Sequence, residues 1–128
     1  MRRLEAKKRF LFVVSTGVNE PKKAFTPFYY AAAAASMGYD THMFFLAEGP
    51  SLLKGDAPDR VRTTEEGEPL RKVIELALRN NVKMMCCSTS AKVIWKMGDG
   101  DLPKGVDYAG AVTLIEMASD PNTVVFYF

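Results

Sequence analysis

The 128-residue chain is about the size of one domain, and 48% hydrophobic with 25% charged residues is the balance of a folded protein, not of a disordered one. Its 17 Lys and Arg against 15 Asp and Glu leave a formal net charge of only +2, spread along the chain without a dense basic face, so nucleic-acid binding is not expected. No run approaches the roughly 18 apolar residues of a membrane span, which points to a cytoplasmic protein with no membrane association.

The basic start, residues 1–8, is expected to be flexible, and the apolar run after it is too short for the core of a signal peptide. That run, Phe10-Leu11-Phe12-Val13-Val14-Ser15, reads as a strand buried on both faces and ends at Thr16-Gly17. After the turn at Val18-Asn19-Glu20-Pro21, residues 22–37 read as one helix containing five consecutive alanines, 31–35, closed by Gly38. A second strand is expected over residues 41–47, stopped by Glu48-Gly49-Pro50. Residues 54–69 hold few apolar anchors and read as an exposed loop.

Pro69 then opens a helix whose Leu70, Val73, Ile74, Ala77 and Leu78 share one face. Val82-Lys83-Met84-Met85-Cys86-Cys87 reads as a third strand, broken by Ser88-Thr89-Ser90, with a short helix over residues 91–97. A brief strand at 106–109, a helix at 110–118 and a last strand at 123–128 complete the order. Strands alternating with helices over this length predict a single α/β domain spanning residues 1–128, with a parallel sheet and helices on both faces. Ligands of such sheets bind beyond the carboxyl ends of the strands, which singles out residues 15–20, 48–51 and 87–90.

The two cysteines are adjacent, so they build no disulfide framework, and a single histidine leaves no convincing metal site. Strand alternation sends Cys86 and Cys87 to opposite faces. Cys86 reads as a core residue. Cys87 ends its strand just before a hydroxyl-rich turn, where Ser88, Thr89 or Ser90 can cap the next helix and where Lys92 and Lys96 add positive charge. A thiol at a helix amino end is favoured as the nucleophilic thiolate, which makes Cys87 the candidate catalytic residue. Ser15, Thr16, Gly17 and Gly49 are expected to line the same edge. Ser15-Thr16-Gly17 lacks the glycine spacing of a dinucleotide loop and the lysine of a phosphate loop. His42 has no evident partner in sequence and reads as a surface or satisfied histidine.

The chain resembles the DsrE/DsrF-like family of small sulfur-relay proteins. The resemblance rests on the opening strand, the alanine-rich helix ending in Gly38-Tyr39-Asp40, the stretch from Met43 through Glu48-Gly49-Pro50 to Leu53, and Asn81 through Cys87 to Ser90. It implies a three-layer α/β/α sandwich with a five-stranded parallel sheet, assembled into trimers or hexamers. It also implies that Cys87 accepts sulfane sulfur as a persulfide from a donor protein and passes it to an acceptor, with no metal or organic cofactor. The alternative is a non-enzymatic oligomeric binding or scaffold subunit with an inert cysteine. A nucleotide or small-molecule binder, the third reading, is disfavoured by the lack of a phosphate loop.

Overall fold

The computed structural model describes residues 8–128, so the expectation of a flexible start falls, for residues 1–7, outside the described residues. Five strands, β1 (Arg9–Val14), β2 (Asp40–Phe45), β3 (Lys83–Cys87), β4 (Val106–Ala109) and β5 (Thr123–Tyr127), form one parallel sheet in the order β4-β3-β2-β1-β5. Residues 11–14 of β1 and 43–45 of β2 are apolar and buried because both faces of the sheet are covered there.

One face carries the main core. Phe12, Val14, Met43, Phe45, Met84 and Cys86 meet Phe28 and Ala31 of α2 (Thr26–Ser36) and Leu70, Val73, Ile74 and Ala77 of α4 (Leu70–Arg79). The alanines let α2 lie close to both the sheet and α4, and the Phe28 and Phe45 rings meet at 5.6 Å. The opposite face carries a smaller cluster, in which Leu11, Val13 and Phe44 are covered by Met117 and Leu114 of a single helix, α5 (Ala111–Ser119). The three-layer α/β/α sandwich is therefore present, and among the described residues one of its layers is the single helix α5.

Three local features differ from the expectation. The single helix over residues 22–37 is two helices, α1 (Pro21–Ala24) and α2, separated at Phe25. Pro27 is the cause: it has no N–H to donate, and its ring crowds the carbonyl four residues back. Gly38 closes α2 as expected, with φ of 93° and its N–H on Ala35 O.

Residues 54–69 are exposed only in part. They contain the helical turn α3 (Ala57–Arg60), and Ala57, Pro58 and Val61 are buried, because small apolar side chains one turn apart suffice to dock it. A bridge from Arg62 to Pro69 closes the segment. The helix expected at residues 91–97 starts earlier, directly after β3, and winds as a π-turn over Ser90–Ile94.

His42 is not a free surface residue. Asp40, two positions earlier on the same face of β2, accepts from its Nε2 at 3.0 Å, while Nδ1 is buried without a partner. Asp40 also meets Arg9 Nε at 3.3 Å and Lys83 Nζ at 3.4 Å. Burial raises the Asp40 pKa, but His42, Lys83 and Arg9 together outweigh it and hold the carboxyl below its ordinary value. Burial also pushes His42 below its usual 6.5; Asp40 opposes this, and the Lys83 and Arg9 charges add to it.

The two groups act in separate pH windows. As pH falls through 6.5, the unfolded chain takes up the His42 proton before the folded one, so stability declines from there downward. The Asp40 contribution is complete above 3.8 and is lost only as pH falls through its lowered folded value. The urea midpoint is therefore expected to drop between pH 7 and pH 5, and His42→Gln is expected to flatten that drop. An equal slope in both proteins would contradict the assignment.

Candidate active site at the end of the third strand

The last residue of β3, Cys87, pairs with Ala109, the last residue of β4. From β3 the chain turns toward the main core, where Ala91, Trp95 and Met97 pack. From β4 it passes through Gly110 into α5 on the other face. Neighbouring strands thus send their connections to opposite faces at this point. That is the arrangement which opens a crevice at the carboxyl edge of a parallel sheet. Cys87 ends β3 at this edge, half-buried, and packs with Leu46, Met85, Ala109 and Leu114 against the smaller cluster on the α5 face.

Cys86 lies on the main-core face and is 0% exposed. Burial, with a smaller effect of neighbouring Cys87, pushes its thiol up to about 12. A thiol so placed stays protonated and screened from solvent. The two adjacent cysteines are therefore inequivalent for a plain geometric reason, the alternation of a strand across a sheet with unequal cover.

The other residues expected at the site divide into two groups. Ser88, Thr89 and Ser90 follow Cys87 directly in the first turn of the helical segment. No side chain caps that turn at Thr89, and Ser90 serves a different bond: its Oγ accepts from Ala47 N–H at 3.1 Å. Lys92 places its ammonium 5.0 Å from the ring centre of Tyr108, which pairs with Cys86 and so lies on the main-core face, away from the Cys87 side chain.

Ser15, Thr16, Gly17 and Gly49 share the carboxyl edge but lie beyond β2 and β1. With strands about 4.8 Å apart, Ser15 is roughly 10 Å from the end of β3. Its Oγ donates to Phe128 O at 2.9 Å, and with Thr16 it lines a groove of about 470 Å³ with Glu20, Lys22, Lys23, Thr26 and Phe128.

Gly17 and Gly49 let two loops meet. A Cβ on Gly17 would lie 2.8 Å from Glu48 O, and one on Gly49 would overlap Val14 O. Buried Ser51 ties the same loops, accepting from Val18 N–H at 3.1 Å and donating to Glu48 O at 2.7 Å. A further arrangement escapes sequence reading altogether. Ala47 has φ of 53°, a conformation that costs a non-glycine residue about 1 kcal/mol, and its carbonyl accepts from Trp95 Nε1 at 2.7 Å.

The DsrE/DsrF-like family profile matches residues 8–127. The chain belongs to the DsrE/DsrF-like family. Among solved structures, it is similar to the YchN protein of E. coli, with a TM-score of 0.73 at 17% identity over 96% of this chain and 100% of that one. It is also similar to MTH1491 of Methanobacterium thermoautotrophicum, described as a protein of unknown function, with a TM-score of 0.66 at 12% identity over 96% and 100% of the two chains. Identities this low speak for the fold alone. No curated protein matches the chain in sequence. Among the described residues, no helix of this family member is long and apolar enough to cross a membrane.

Proposed function

We propose that this DsrE/DsrF-like protein is a sulfur carrier in which Cys87 accepts sulfane sulfur and passes it on. The observation that carries this reading is the position of Cys87: half-buried at the carboxyl end of β3, beside a second cysteine that is fully buried. The Cys87 thiolate attacks the outer sulfur of a donor persulfide. A new S–S bond forms at Cys87, the donor's S–S bond breaks, and the donor leaves as its thiolate. Delivery to an acceptor thiolate repeats the exchange in reverse, with no net oxidation or reduction. Membership of a family linked to sulfur relay supports the reading.

The test is alkylation of the folded protein under non-denaturing conditions, followed by fragmentation to separate the two cysteines. Cys87 is expected to be modified and Cys86 to remain free. Protection of both cysteines until the protein unfolds would remove the proposal.

A second reading rests on a different observation. The outer side of α5 carries Val112, 72% exposed, and Ile115, 64% exposed, on a helix with few polar residues. A helix apolar on both sides is normally covered on both. We propose that copies of the chain associate through this face, in line with a family that is often oligomeric. In the scaffold version of this reading, association is the protein's whole function and Cys87 is inert.

A further inference from the structure

Trp95 bridges two places that matter to Cys87. Its ring packs against the main core, while its Nε1–H reaches the Ala47 carbonyl at 2.7 Å. The Ala47 N–H is held by Ser90 Oγ at 3.1 Å. Both supports of this positive-φ residue therefore come from the segment that follows Cys87. Beyond the next turn, Lys54 Nζ donates to the Trp95 carbonyl at 2.6 Å and fixes the tryptophan in place.

Ala47 directly follows Leu46, which the strand register sets beside Cys87. The β2–β3 register pairs Phe45 with Cys86, so the next residues along, Leu46 and Cys87, project side by side onto the α5 face. Both belong to the smaller apolar cluster there. Leu46 is anchored toward β1 by its N–H on Val14 O at 3.0 Å, and its carbonyl accepts from Gly49 N–H at 2.8 Å. On its other side, only a residue in a disfavoured conformation continues the wall. Such a conformation persists where surrounding bonds over-determine it.

We infer that Trp95 is a positioning residue for Cys87: through the indole bond to Ala47 it holds Leu46 against the thiol and limits the size of group that reaches it. The functional meaning of this role rests on the carrier reading above.

Trp95→Phe keeps an aromatic ring in the core and removes only the N–H. The experiment follows alkylation of Cys87 in the folded protein by iodoacetamide and by a bulky aryl maleimide. The ratio of the bulky to the small rate is expected to rise about threefold to tenfold in the variant, the equilibrium weight of one hydrogen bond. Cys86 stays unlabelled, which separates a local opening of the wall from a general loosening of the fold. Ser90→Ala, which removes the other support of Ala47, shifts the ratio in the same direction. An unchanged ratio in both variants, or labelling of Cys86 together with Cys87, overturns the inference while leaving the carrier reading intact. A wild-type Cys87 that takes neither reagent overturns both.

Discussion

Gly49→Ala is expected to destabilise the protein by about 3 kcal/mol, from steric overpacking together with the loss of a backbone hydrogen bond. The added methyl would overlap Val14 O, far closer than real Cβ atoms come to main-chain atoms, and would lie 3.2 Å from Val14 C, tighter than nearly all real Cβ contacts. Relief requires one of the two backbones to move. Val14 O already accepts from Leu46 N–H at 3.0 Å, so retreat from the methyl strains the continuation of β2 beside β1. Thermal denaturation should show a fall of roughly 10 °C for a domain of this size. Gly100→Ala, where an added Cβ meets nothing within 4 Å, is the control and should shift the midpoint little. Equal effects at the two glycines would show that the close approach of the loops is not what Gly49 provides.

The contrast between those glycines explains what the sequence alone conveys here and what it does not. Strand runs such as residues 10–15 and 82–87 announce themselves through apolar continuity, and the order of elements then follows the rules of parallel sheets. The brief strand expected at 106–109 is present as Val106–Ala109. Pro27 was a legible interruption in principle, outweighed by the run of alanines after it. Close approaches between distant loops carry no local pattern, so Gly49 reads as a site residue until its Cβ direction is known.

The same limit governs the candidate site. Alternation within β3 separates Cys86 from Cys87 without any structure, because it needs only neighbouring residues. Alternation cannot say which face is thinly covered. That depends on β5 lying beside β1, which sends α5 alone to the far face. Asp40 beside His42 is a two-residue spacing in a strand and could have been found from the sequence. The bonds from Ser90 and Trp95 to Ala47 span more than forty residues and could not.

Cys87→Ala is expected to abolish sulfur loading, a larger effect than any other single substitution at the site. No other described thiol can take over, since Cys86 is buried on the opposite face with its pKa pushed up to about 12. Cys86→Ala removes a sulfur atom from the core and leaves a small gap. It is expected to cost about 1 kcal/mol of stability while leaving loading at Cys87 in place. The pair of variants therefore separates chemistry from packing, because each thiol carries one of the two.

Intact-protein mass spectrometry after incubation with a persulfide donor tests the central claim most directly, on the wild type and both cysteine variants. The account predicts a gain of one sulfur atom in the wild type and in Cys86→Ala, reversed by reductant and absent from Cys87→Ala. A wild type that gains no sulfur while folded, or a Cys87→Ala variant that still gains it, would contradict the claim.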